Sequence, residues 1–173
     1  EMGIGNTTVA SALCSALLGS RTSSWVGRGT GVDDSGFERK VAAVQAACTR
    51  VQHLTDPIEI FREIGGKELV AMAGAIVAAR ERRIPVVIDG FVVSAAVLPL
   101  FRLSPAILDH CIFSHCSAEP GHRALLAEFD RPYLLDLNMR LGEGSGAMAA
   151  VPLIKMACRG VTDVPTFDEW FGT

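Results

Sequence analysis

The sequence predicts an α/β protein built on a parallel sheet, and three observations predict it. Two short runs, "IPVVIDG" at 84–90 and "HCIFSH" at 110–115, each hand over to a helical stretch. Strand, helix, strand, helix is the order that gives a parallel sheet with helical crossovers. The composition is 49% hydrophobic with a mean hydropathy of +0.32, rich enough for a well-buried α/β core or a face that meets another subunit. Yet the greasiest run, "VVIDGFVVSAAVLPLF", is broken by Asp89 and Gly90, short of the ~20 apolar residues that span a bilayer. A length of 173 residues suits one domain. Against six or seven helices, two convincing strands make a sheet too small to cover its own edges. The chain is therefore expected to complete a larger sheet or to need a partner.

The elements follow in order. After the glycine loop "EMGIGNTT", Asn6 or Thr7 is expected to N-cap a helix through about Leu18. "GSRTSSWVGRGTGVDDSG" reads as a long polar loop, and Asp34 or Ser35 starts a helix with Val41, Val44, Ala47 and Val51 at helical spacing. Asp56-Pro57 is a cap followed by proline at a helix start, and Gly65-Gly66 closes "PIEIFREI". "KELVAMAGAIVAARERR" is a small-residue helix, with "RERR" at the end where cations suit the dipole. Beyond the first strand, "FVVSAAVLPLFRL" is helical. After the second come the helix "AEPGHRALLAEF", the weaker extended segment "PYLLDLNM", and a long helix "GSGAMAAVPLIKMACRG" in which Pro152 is expected to introduce a kink. Residues 161–173 read as a loop with a docking turn.

A net charge of −3 and the lack of a basic stripe argue against a nucleic-acid partner. Five cysteines without CxxC spacing suit reduced thiols in a cytoplasmic protein, with Cys14, Cys48 and Cys158 expected to be buried hydrophobes. The sequence opens on Glu rather than Met, directly in a glycine-rich segment, and is expected to continue a longer chain.

Chemistry concentrates in three glycine loops, "EMGIGN" at 1–6, "GRGTG" at 27–31 and "GEGSG" at 142–146, each ahead of a helix. Glycine lets the backbone approach an anion, and free N–H groups at a helix start favour negative charge; ordinary turn chemistry is the alternative for any one of them. None is a dinucleotide fingerprint or a Walker motif, so a phosphate-bearing small molecule fits better than a nucleoside triphosphate. Lys40 lies on the first turns after the second loop, either near a phosphate or as a solvated helix lysine. In "FSHCSAEPGH", Ser114, His115, Ser117 and Glu119 fall at the carboxyl end of a strand, where ligands of open α/β sheets collect. Zinc at His115, Cys116, Glu119 and His122 matches no standard spacing, and no metal or cofactor is expected. Adjacent residues on a strand face opposite ways, which disfavours a Cys–His nucleophile pair. Glu143, among three glycines and a serine, has two readings: a first-turn carboxylate favoured by the helix dipole, or a base whose pKa rises in a closed apolar pocket. Glu1 presents a similar picture beside the first loop.

Taken together, "EMGIGNTT", "GRGTG…DD…RK", "VVIDGF", "SHCSAEPGH" and "RLGEGSGA" resemble, in this order, the nicotinate-nucleotide–dimethylbenzimidazole phosphoribosyltransferases. The resemblance runs from residue 1 to about 160. It implies a Rossmann-like parallel sheet flanked by helices, of which this chain is only the C-terminal part. Residues 1–160 would belong to the catalytic domain and 161–173 would form a tail toward a small helical domain. It implies a homodimer that transfers the phosphoribosyl group of nicotinate mononucleotide to 5,6-dimethylbenzimidazole in cobalamin lower-ligand synthesis. It implies Glu143 as general base, and Glu1 near the ribose. Gly27, Gly29, Gly31, Lys40 and Ser117 would lie around the phosphate, with Gly3, Leu141, Gly142 and Gly144 also against substrate. Because family members are roughly twice this length, the first strands and much of the acceptor pocket are expected in an N-terminal half that this chain needs. The alternatives are a non-catalytic nucleotide-binding subunit and a transferase using another aromatic acceptor.

Overall fold

The computed structural model describes residues 3–19, 21–29 and 31–172. Helix α1 (Asn6–Leu18) opens not on a side-chain cap at Asn6 or Thr7 but on Gly5, left-handed at φ 84°. Gly5 reaches that conformation without the Cβ clash another residue would meet. The expected polar loop contains one short helix, α2 (Thr22–Trp25), because Trp25 is buried and anchors it. Helix α3 (Asp34–Val51) starts where Asp33 accepts the Gly36 N–H at 2.7 Å. That bond also holds the Asp33 carboxyl below its ordinary pKa. Helix α4 (Pro57–Ile64) has the anticipated Asp56 cap, accepting from Ile58 N–H, and α5 (Lys67–Glu81) ends at the arginine cluster.

The sheet follows. Strand β1 (Val86–Ile88) leads into α6 (Phe91–Leu103), and a 3₁₀ turn at Pro105–Leu108 precedes β2 (Cys111–His115). Helix α7 (Pro120–Phe129), which begins two residues later than the sequence suggests, leads to β3 (Tyr133–Leu135), then to α8 (Ser145–Thr162) and α9 (Phe167–Phe171). The strands run parallel in the order β1-β2-β3, with Ile88 opposite Phe113 and His115 opposite Leu135. The weak segment "PYLLDLNM" thus supplies a third strand.

Helix α6 is buried from Ser94 to Pro99 and packs against α1, α4, α5 and α7, while α8 lies on β2 and β3. Continuous burial explains why its hydrophobicity has no polar face to alternate with. Phe129 joins helix to sheet, its ring 5.1 Å from Phe113 and 5.0 Å from Phe101. Among the described residues no helix is long and apolar enough to cross a membrane.

Two expectations fail at the surface. Cys14 is buried and Cys48 partly so, but Cys158 is exposed, since α8 meets the sheet only through its early turns. The tail is not a docked loop: α8 runs through Pro152 to Thr162, and α9 carries a Thr166–Glu169 capping box. Phe167 and Trp170 are 82% and 73% exposed, so no described part of the chain buries them.

Candidate active site

Consecutive parallel strands end on the same edge, and β1 and β2 deliver Asp89 and His115 there side by side. Against this edge a cavity of about 510 Å³ is lined from four directions. Gly3–Thr7 approach from the start of α1, and Gly29 from the second glycine loop. Phe91 and Val93 belong to α6, and Arg140–Gly144 precede α8. A smaller cavity beside it, of about 410 Å³, is shared by Gly27, Gly29, Glu119 and Arg140. The three glycine loops far apart in sequence therefore converge.

The loop carrying Glu143 is unusual in its backbone. Gly142, Glu143 and Gly144 have φ of 79°, 57° and 78°, three left-handed residues in a row, the middle one not glycine. Such a conformation is disfavoured for a residue with a Cβ, so something must hold it. Two things do: the turn's own Ser145 N–H donates to Gly142 O at 3.0 Å, and Asp89 fastens the turn to the sheet, its Oδ2 accepting the Gly144 N–H at 3.2 Å and its Oδ1 the Ala147 N–H at 2.9 Å. The start of α8 thus takes its carboxylate from the end of β1, and the anion position at this helix end is filled from within. Glu143 is not the cap. Its side chain is exposed, lines the larger cavity, and among the described residues has no hydrogen-bond or ion-pair partner.

The neighbouring histidines are locked in defined tautomers. Ser114 donates its hydroxyl proton to the Asp89 carbonyl at 2.9 Å, which leaves its oxygen to accept from His115 Nδ1 at 3.0 Å. That nitrogen lies 3.9 Å from Asp89 Oδ1. The His115 ring packs so closely on the first turn of α8 that a Cβ at Gly146 would overlap it. His122, fully buried, accepts the Ser117 N–H on Nδ1 at 2.9 Å, so its Nε2 carries the proton and donates to Ser94 Oγ at 3.1 Å. Burial pushes the His122 pKa down from 6.5 to about 3, helped by His115 and Arg123. The neutral ring also receives the Ser117 hydroxyl at 2.9 Å, bracing the residue that lines the cavity.

Of the residues singled out from sequence, Gly3, Gly29, Ser117, Leu141, Gly142, Glu143 and Gly144 line the larger cavity, and Gly27 lines the smaller. Gly31 lines neither, although its φ of 124° shows why glycine stands there. Glu1 lies outside the described residues. Lys40 is neither solvated nor lining: its ammonium donates to Gly27 O at 2.7 Å and Thr7 Oγ1 at 2.9 Å, tying α3 to two of the loops. Desolvation lowers its pKa, and the Glu119 carboxylate opposes that. Gly27 has no room for a side chain because Glu119 occupies the space. Sequence reasoning missed Asp89 and Arg140. An aspartate directly after a strand, at the carboxyl edge, is the signal that could have found the first; Arg140 carried none. Among the described residues no group of three or more His, Cys, Asp or Glu side chains is placed to hold a metal ion.

A glycine-lined cleft at the carboxyl edge of a parallel sheet is where α/β enzymes bind nucleotides. The chain belongs to the phosphoribosyltransferase family DBI_PRT, whose model matches residues 1–170. It is 52% identical over 170 residues to a nicotinate-nucleotide–dimethylbenzimidazole phosphoribosyltransferase of Brucella canis, and 50% identical to that of Brucella anthropi. Each alignment covers 98% of this chain and 50% of the relative. Among solved structures it resembles CobT from Thermus thermophilus, with a TM-score of 0.89 and 46% identity over 97% of this chain and 50% of that one. A second structure, titled as the nicotinate-nucleotide–dimethylbenzimidazole phosphoribosyltransferase of that organism, matches with a TM-score of 0.87 and 42% identity, over 99% of this chain and 50% of that one. The chain spans about half the length of the curated relatives it matches.

Proposed function

We propose that this chain carries the base-bearing half of an enzyme that transfers the phosphoribosyl group of nicotinate mononucleotide to 5,6-dimethylbenzimidazole. The products are α-ribazole 5′-phosphate and nicotinate, in cobalamin lower-ligand synthesis. The observation that supports it best is the unpartnered Glu143 carboxylate lining a glycine-walled cleft, with the adjacent amides already satisfied by Asp89. A carboxylate that neither caps the helix nor pairs with a cation is free to accept a proton.

The chemistry asks little else of the protein. Nicotinate leaves as the C1′–N bond breaks, its pyridinium nitrogen taking the bonding pair and losing its positive charge. One nitrogen of the benzimidazole attacks C1′ from the opposite face, which turns a β nucleotide into an α product. Glu143 takes the N–H proton from the other nitrogen, so no positive charge accumulates on the new base. The flanking glycines leave room for a flat heterocycle to approach. Gly27, Gly29 and Ser117 are assigned to the phosphate side and Glu1 to the ribose, as the resemblance implies, with Lys40 and Gly31 acting there by shaping the second glycine loop rather than by lining the cleft. We further assign the protein to the cytoplasm as a homodimer, with residues 161–173 contributing to a small helical domain. The bare aromatic face of α9 is consistent with that.

The test is nicotinate release from the mononucleotide plus dimethylbenzimidazole. It is run on the chain alone and with the N-terminal half of the Brucella canis relative, followed by chromatography. Glu143→Gln is expected to lower turnover about 10²–10⁴-fold, the range for a lost general base. Turnover unchanged by that substitution would remove Glu143 from the role. Mononucleotide binding by calorimetry with no transfer in either arm would instead mark a binding subunit.

A further inference from the structure

The left-handed backbone of Glu143 belongs to a tight turn closed by the Ser145 N–H donating to Gly142 O at 3.0 Å, and that turn is itself fastened to the sheet. Asp89 spends both carboxylate oxygens on amides just C-terminal to Glu143, those of Gly144 and Ala147. From the next strand, His115 presses on Gly146 with no space for a side chain between them. The segment 142–147 is therefore pinned at two points from two strands, both buried or nearly so: the side chains of His115 and Asp89 are 3% and 15% exposed. Glu143 has no partner for its carboxylate among the described residues, so the backbone sets the Cα–Cβ direction from which that carboxylate reaches into the cleft. A disfavoured φ persists only where the surroundings over-determine it.

We infer that Asp89 is a positioning residue for Glu143, holding the base in its working place by hydrogen-bonding the backbone on its C-terminal side. This rests on the reading of Glu143 given above. Asp89 touches the cleft wall as well, but its two oxygens are committed to protein amides, which separates it from the groups that handle protons. The pair of strand-end residues makes the catalytic loop part of the sheet edge rather than a free turn. A loop so fixed meets the geometric demand of proton transfer, where a displacement of about 1 Å costs on the order of 10²-fold in rate.

The experiment compares Asp89→Ala, Asp89→Asn, Glu143→Gln and the double variant Asp89→Ala/Glu143→Gln in the nicotinate-release assay. Asp89→Ala is expected to lower kcat about 10²-fold while the KM for mononucleotide moves less than about threefold. Asp89→Asn keeps one acceptor oxygen and recovers part of the loss. In the Glu143→Gln background, Asp89→Ala should cost less than about threefold, because the residue through which it acts is already gone. Multiplicative losses in the double variant overturn the inference. If Glu143→Gln alone leaves turnover intact, or no arm turns over, the base assignment or the activity fails and amide spectroscopy on the chain decides the positioning. The Gly144 and Ala147 amide protons should lose protection from exchange in Asp89→Ala, and the Glu143 Cα shift should leave its left-handed value. Amides and Cα shift unchanged in that variant overturn the inference by themselves.

Discussion

Lowering the pH from 7 to 5 should weaken this protein through one side chain, His122. Its ring is fully buried, its Nδ1 receives the Ser117 N–H, and its Nε2–H is spent on Ser94. Protonating Nδ1 would place a charge in a buried site, 6.0 Å from the His115 ring, and turn an acceptor toward an N–H donor. The folded pKa is accordingly about 3 against an ordinary 6.5. Between those values the unfolded chain binds a proton that the folded chain refuses, so stability rises with pH in this window and falls as acid is added. The full stability contribution is present above 6.5 and is lost progressively down to about 3. At about 1.4 kcal/mol per pH unit, the step from pH 7 to pH 5 costs about 2 kcal/mol. With a urea slope of about 2 kcal/mol/M, the midpoint should drop by about 1 M. Asp33 and Glu169, both held below their ordinary values of 3.8 and 4.5 by backbone amides, lose their contribution at lower pH and leave this window nearly clear. The assay is urea unfolding followed by circular dichroism at pH 7, 6 and 5, for the wild type and His122→Gln. The variant starts less stable at pH 7 but should lose the about 2 kcal/mol slope. Equal midpoint shifts in both proteins, or an imidazole proton titration of His122 centred near 6.5, would refute the reasoning.

Gly146→Ala should push the His115 ring from its seat; because that ring is buried and cannot yield, the expected cost is about 1–3 kcal/mol in urea unfolding. A change within about 0.5 kcal/mol would show that α8 slides freely on β2. Lys40→Met leaves the Gly27 carbonyl and Thr7 hydroxyl without their donor, and should lower stability by about 1–2 kcal/mol in the same measurement. No loss would mean that water replaces the ammonium.

The helices were legible because their signals are local. Asp56 caps α4 where a short polar side chain meets an amide two residues on, and Pro57 stands at the first helical position, while α3 starts within a residue of the expected Asp34 or Ser35, on the Asp33 cap. Strands β1 and β2 were legible as β-branched or apolar runs before helices. The tail misled because its aromatic residues suggest burial, and hydrophobicity says nothing of whether a partner surface lies within the same chain; α9 has its cap but nothing described to dock on. Lys40 was ambiguous for a related reason. A lysine on a helix declares its reach but not its acceptor, and here the acceptors lie 13 and 33 residues away.

By itself the sequence determined the fold class, the family motifs and the isolation of Glu143 among glycines, all properties of residues close along the chain. Only the tertiary structure decided what that carboxylate is free to do. Whether it caps α8 turned on whether another acceptor already served that helix's amides. That acceptor, Asp89, stands 55 and 58 residues from the amides it binds, brought there because parallel strands end on one edge. Hydrogen-bond partners at such separation are fixed by packing, which no local pattern encodes.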